Sequence, residues 1–175
     1  MKRGTFFAGL AAILQMTITT SAMAVTITVT TTDDDDTTNG NCTLREAVFA
    51  AAADMVRDAC PAGSGVDTVY VPAGTYDLAL GDISLSSDLI IEGESQLNTI
   101  IDGNNITNIF IRSGATSTVE IRDLTIRNDQ PPSGVFGGAL IQGSTYFTTF
   151  RNVSVRGCST DSRGGQSISA AVSSR

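Results

Sequence analysis

Beyond about residue 66, apolar and polar positions alternate in runs of only a few residues, each closed by glycine, asparagine, aspartate or serine. Period-two alternation over such short runs predicts strands. The runs are Thr68–Val71, Thr75–Leu80, Asp88–Glu92, Thr99–Asp102, Asn108–Arg112, Thr118–Arg122, Leu124–Arg127, Ala139–Gln142, Phe147–Phe150 and Val153–Arg156. An earlier β-branched run, Val25–Thr32, predicts a strand that starts the sheet system. One stretch has a different period. Asn41–Ala53 places Leu44, Ala47, Val48, Ala51 and Ala52, with Met55 beyond, at helical spacing, and Thr43 and Glu46 form a capping-box pair in front of it. Its small apolar face suits a helix lying close over the end of a sheet.

The strand segments also repeat. DLIIEG (Asp88 to Gly93), DLTIRN (Asp123 to Asn128) and NVSVRG (Asn152 to Gly157) share one order of polar, apolar and turn-forming residues. GGALIQGS from Gly137 is echoed by GGQSISAA from Gly164. Recurrence at separations of this size signals stacked repeats. With strands this short and no helices between them, the expectation is an all-β chain, a right-handed parallel β-helix (solenoid) with an N-terminal capping α-helix. On that alignment Ile91, Ile126 and Val155 should form one internal ladder, and Leu89, Leu124 and Val153 another. The helix would cover an open end that otherwise invites pairing. No second cap is visible in Gln166 to Arg175, so end-to-end self-association is expected.

The segment from Met1 to Ala24 changes the compartment. Lys2 and Arg3, an apolar middle and the ending Ala22-Met23-Ala24 read as a secretory signal peptide, predicting an exported chain, secreted or at the cell surface, with no membrane span after cleavage. The organisation expected is residues 1–24 as signal, 25–65 as strand, acidic turn and capping helix, and 66–175 as β-helix repeats, incomplete at the C-terminus. Cleavage removes the only lysine and leaves an acidic domain without histidine, which argues against nucleic acid as a partner. Three cysteines in an oxidising compartment predict a disulfide and one leftover. Cys42 and Cys60 bracket the helix and are the natural pair, on one geometric condition. A helix continuing to Arg57 would hold its ends about 20 Å apart, beyond disulfide reach, so the helix must stop near Asp54. Cys158 then reads as a small buried apolar residue.

Candidate chemistry is sparse. Asp33 to Asp36 are four consecutive carboxylates, and two readings apply: a calcium loop using Asp33, Asp35 and Asp36, or a solvated turn, since no EF-hand spacing follows. Calcium is the one cofactor suggested. Arg122 and Arg151, and Arg127 and Arg156, should stack in neighbouring repeats, either gripping an anionic glycan or lying on a solvated face paired with acids. Two function classes follow. One is a non-enzymatic, structural or adhesin-like surface module that meets a glycan or cell-surface protein through loops such as Asp129 to Phe136. The other is a calcium-dependent polysaccharide lyase or glycosidase, with Asp102, Asp123 and Asp129 as candidate acids.

The segment CTLREAV, preceded by VTITVTTTDDDD and followed by CPAGSGVDTVYVPAGTY, closely resembles the N-terminal module of bacterial CSLREA-type secreted proteins. The resemblance runs from Val25 to about Asn128. It implies a right-handed parallel β-helix exported to the cell surface or medium. Gly137-Gly138-Ala139-Leu140 and Phe150-Arg151-Asn152 also resemble, more loosely, the repeats of polymorphic outer-membrane adhesins. Here Phe150 and Asn152 stand one residue closer than in that repeat, and Gln166 and Ser167 replace its small and aliphatic residues after the second glycine pair.

Overall fold

The computed structural model describes residues 23–106, 108–113, 117–129, 140–141 and 147–158. Among these the chain is mostly β, with one helix. The strands are β1 (Thr26–Thr28), β2 (Asp67–Val71), β3 (Gly74–Asp77), β4 (Ile83–Leu85), β5 (Leu89–Gly93), β6 (Thr99–Asp102), β7 (Phe110–Arg112), β8 (Thr118–Arg127), β9 (Leu140–Ile141) and β10 (Phe147–Arg156), and α1 (Leu44–Ala53) follows β1. Every pairing between these strands is parallel. Parallel neighbours cannot be joined by tight hairpins, so each pairing spans a longer stretch of chain.

Three stacks result. In the first, β1, β2, β5, the first half of β8 and the first half of β10 lie side by side, with Thr68, Ile90, Glu120 and Thr149 in register. In the second, Thr75, Ile100, Thr125 and Ser154 align across β3, β6 and the second halves of β8 and β10. The third contains β4, β7 and β9, aligning Ile83, Phe110 and Leu140. β8 and β10 serve two stacks because each changes direction at a residue in the left-handed region, Asp123 (φ 55°) and Asn152 (φ 50°). Aspartate and asparagine tolerate that conformation better than most residues with a side chain. Asn152 donates its side-chain amide to Asp123 Oδ1 at 2.7 Å, so the two bends support each other.

The inward positions form columns. Ile27, Val69, Ile91, Ile121 and Phe150 make one, and Tyr76, Ile101, Ile126 and Val155 another. All but Phe150 and Val155 are buried, and those two pack partly buried against the same core. Each fully buried Ile or Val contributes about 1.5–3 kcal/mol of transfer free energy.

The expected ladders need correcting. Ile91 stands on Ile121 and Leu89 on Val119, not on Ile126 and Leu124. Val153 on Leu124 and Val155 on Ile126 are found as expected. The physical reason is that β5 and DLTIRN lie on different stacks, either side of the bend at Asp123. Other elements differ at their margins. The first strand is confined to Thr26–Thr28, Thr118–Arg122 and Leu124–Arg127 are two halves of one strand, and β4 has no counterpart among the expected strands.

The helix begins and ends for local reasons. Thr43 is the N-cap, its hydroxyl accepting from the Glu46 N–H at 3.2 Å while Glu46 Oε2 accepts from the Thr43 N–H at 3.1 Å. Asp54 closes it in the left-handed conformation (φ 52°), its N–H donating to the Ala50 carbonyl. Leu44, Ala47, Val48, Ala50 and Ala51 are buried. Met55 falls beyond the helix and is exposed, so it does not extend the apolar face. The small side chains permit close contact: at Gly63, an added Cβ would lie 2.9 Å from Ala51 Cα.

Candidate functional site

Two groups of side chains collect the chemistry-bearing residues: the segment around α1, and the outward faces of β5, β8 and β10.

Around α1 the CTLREA residues are all engaged. Cys42 is bonded to Cys60 with Cα atoms 4.9 Å apart, and both are buried. The pairing is possible because the chain turns back after Asp54, with Arg57 and Cys60 exchanging backbone hydrogen bonds. Thr43 and Glu46 form the capping box, and Thr43 also donates to the Asp35 carbonyl. Leu44 and Ala47 are buried. Arg45 lies on the flank of α1 and grips Asp34 with two bonds, Nε to Oδ1 at 2.9 Å and Nη2 to Oδ2 at 3.1 Å. The same guanidinium donates to the carbonyls of Gly81 and Asp82 at 2.7 and 2.8 Å. Asp34 Oδ2 further accepts from the backbone N–H groups of Ala79 and Leu80 at 2.7 and 2.8 Å. The Asp34 side chain is only 4% exposed. A forked guanidinium on a carboxylate is the strong, directional form of ion pair. It clasps acidic turn, helix and the loop before β4 together.

The remaining acidic residues take separate partners. Asp33 accepts from the Thr31 hydroxyl. Asp35 accepts from the Thr37 N–H and hydroxyl and from the Asn39 amide, and these bonds, the Thr37 N–H foremost, hold its carboxyl below the ordinary range. Asp36 pairs with Arg57, which also lies over the Phe49 ring. Asp33, Asp35 and Asp36 are therefore not brought together as the calcium reading expected. Among the described residues no three acidic, cysteine or histidine side chains converge on a point that would hold a metal. Each carboxylate has local donors, which relieves the crowding that suggested a cation. Asp58 Oδ2 likewise sits in a nest of backbone donors, accepting from the N–H groups of Asn39, Gly40 and Asn41.

On the outward faces, Arg122 aligns with Arg151 and Arg127 with Arg156, the registers anticipated from the sequence. Their charges are partly engaged. Arg122 binds Glu92 at 2.8 Å and Glu120 at 3.3 Å; the Glu92 hydrogen bond is the main reason its pKa is raised. Arg151 reaches the same Glu120 oxygen at 3.3 Å and is two-thirds exposed. Arg127 binds Asp102 at 2.6 Å, and Arg156 donates to the Ser154 hydroxyl. Asp102 is buried. Burial alone would raise its carboxyl pKa, but bonds from the Asn104 N–H, Arg127 and Asn128, with the Arg127 charge, hold it below the ordinary range. Its carboxylate is thus tied to Arg127 and Asn128. Asp123 accepts from Asn152 at the bend, and Asp129 is buried. Cys158 is half-buried, and that burial pushes its thiol pKa up, away from the reactive thiolate.

Sequence reasoning missed Asp34 and Arg45. The signal was present, an arginine inside the helix motif and an acid left unused by the calcium set, but the two positions meet through folding alone. Residues 1–22, most of the loop after Asp129, and the second glycine-pair segment from Gly164 lie outside the described residues. No helix among the described residues is long and apolar enough to cross a membrane. The chain matches no family model, no curated protein and no solved structure.

Proposed function

We propose that this chain is an exported, non-enzymatic surface or secreted module of the CSLREA type, a right-handed parallel β-helix whose N-terminal helix seals one end. The observation that carries the reading is the occupancy of the motif. Every residue from Cys42 to Ala47 serves the cap: a disulfide, an N-cap, a forked ion pair, a capping glutamate and two buried apolar contacts. The motif's side chains are thus tied into closure, with Glu46 Oε1 the one buried oxygen among them that no described donor reaches.

Three further points support it. Each step within a stack takes up a similar length of chain, Thr68 to Ile90 to Glu120 to Thr149 in the first and Thr75 to Ile100 to Thr125 to Ser154 in the second, as a chain winding around one axis would. Parallel connections of this kind are right-handed in nearly all proteins, because strand twist favours that crossover. Asp102 and Asp123, candidate acids of the enzymatic alternative, are tied into the framework, Asp102 by its arginine and amide partners and Asp123 by Asn152. Function in such a module resides in the outward faces and loops that a rigid stack presents to a glycan or surface protein.

The test is turnover against binding. The chain recovered after export is incubated with acidic polysaccharides, with and without calcium, while unsaturated products and new reducing ends are followed. The expected result is a folded β-rich protein without turnover. Cleavage that disappears in Asp102→Asn, with the β signal retained, would overturn the reading.

A further inference from the structure

Asp67 is a buried carboxylate that no arginine answers. It opens β2 with 1% of its surface exposed, and none of the ion pairs among the described residues includes it. Its described donors are backbone N–H groups: Val25 at 2.8 Å to Oδ1, and Ser64 at 3.0 Å to each oxygen. Gly63 leaves room for the carboxylate, since a Cβ there would collide with Asp67 Oδ2. An anion taken out of water is costly unless a positive charge joins the hydrogen bonds that hold it. Val25, its first donor, is where the chain enters the fold. The Val25 carbonyl accepts from the Thr68 N–H at 2.9 Å and its side chain packs partly buried on the core, whereas Met23 and Ala24 are exposed. Thr26 pairs with Thr68 in the first register of β1 on β2, which sets Val25 beside Asp67.

We propose that Asp67 is the receptor for the amino terminus that export creates, the α-ammonium of Val25 forming a buried ion pair with it that latches β1 to the sheet. The inference rests on the exported reading above and names what processing does to the fold. The leader peptidase hydrolyses the Ala24–Val25 peptide bond: water is consumed, Ala24 leaves with a carboxylate and Val25 gains an ammonium. Two independent observations meet at the Val25 nitrogen. The structure sets a buried anion against it, and the sequence places the Ala22-Met23-Ala24 cleavage pattern directly in front of it. Before cleavage that nitrogen is a neutral amide with one hydrogen. Afterwards it carries a positive charge and three hydrogens, and the 2.8 Å contact becomes charge-assisted. The uncut chain therefore holds β1 with a neutral bond, and the cut chain with an ionic one.

Cleavage removes the only lysine, so the α-amine of the exported chain is its one aliphatic amine and can be labelled selectively. The experiment recovers the chain after export, identifies its first residue by mass, and follows acetylation of the N-terminal peptide in the folded and the denatured protein. A free α-amine has a pKa of about 7.7–8.0 and reacts through its neutral form; a carboxylate partner raises that pKa, each unit lowering the reactive fraction about tenfold. Val25 is expected as the first residue, labelled at least about tenfold more slowly in the folded chain than in the denatured one. D67N, with the β signal retained, should label close to the denatured rate. A second measurement needs no variant: the chain acetylated in denaturant and refolded should melt several degrees below the untreated refolded chain. Equal labelling of folded and denatured chains, or equal melting with and without the acetyl group, would overturn the latch. Slow labelling that persists in folded D67N would overturn it in favour of shielding by burial alone. Export with a different first residue would overturn the latch while leaving the exported module intact; a chain neither exported nor cleaved would overturn both.

Discussion

Removing the Asp34 carboxylate is the most informative perturbation of the cap. In Asp34→Ala, Arg45 loses both forked bonds and keeps only the Gly81 and Asp82 carbonyls, while the N–H groups of Ala79 and Leu80 lose their acceptor. Breaking a buried ion pair from one side costs about 3–5 kcal/mol because the partner charge stays behind. Arg45 is 17% exposed, so water can reach part of the guanidinium, and the lower value, about 3 kcal/mol, is the better figure. For a chain of this size that is a melting shift of about 6–12 °C, read by circular dichroism. Arg45→Lys keeps the charge without the fork and should cost less, about 1–2 kcal/mol. The decisive measurement is the cycle of Asp34→Ala, Arg45→Ala and the double variant, with an expected coupling of at least about 1.5 kcal/mol. Single losses below about 1 kcal/mol, or losses that simply add, would refute the clasp as the element that ties helix to sheet.

Two other outcomes follow from the same geometry. Reduction of Cys42–Cys60, which closes a loop with a sequence separation of 18, should lower stability by about 3 kcal/mol; identical melting with and without reductant, with thiol titration proving reduction, would contradict this. Asp102 has a folded pKa below its ordinary 3.8, so its contribution is present above about pH 4 and is lost as the pH falls through the depressed value. Asp102→Asn should therefore be less stable at neutral pH with a flatter acid limb, and parallel acid limbs for variant and wild type would count against the Arg127 and Asn128 contacts as its source.

Much of this architecture is legible in the sequence because it is local. The capping box, the helix end at Asp54 required by the disulfide, and most strand positions depend on residues within a few places of one another. The ladders are less legible. DLIIEG resembles DLTIRN because both carry an aspartate before an apolar pair, yet Leu89 and Ile91 are equally well matched by Val119 and Ile121, and the fold takes that pairing. Apolar alternation records which side of a strand faces inward, not which strand lies beneath. β4 was missed because Ile83–Leu85 is too short to show a period. The acidic run left its two readings open for a related reason: four adjacent carboxylates on extended chain point in different directions, and where each goes depends on residues as distant as Leu80. The arginine alignment was recoverable because DLTIRN and NVSVRG occupy the same stack.

The reach of the Asp34–Arg45 clasp also sets an order of events. Its acceptors and donors extend to Ala79, Leu80, Gly81 and Asp82, well past the disulfide. A chain emerging N-terminus first can form α1 and join Cys42 to Cys60 once Cys60 is out. It cannot satisfy Arg45 until Asp82 has followed. Between those two points the disulfide and the fork on Asp34 can form, while the Gly81 and Asp82 carbonyls are not yet available to Arg45. The full set of bonds at Arg45 thus measures a length of chain, complete only when the segment leading into β4 has arrived.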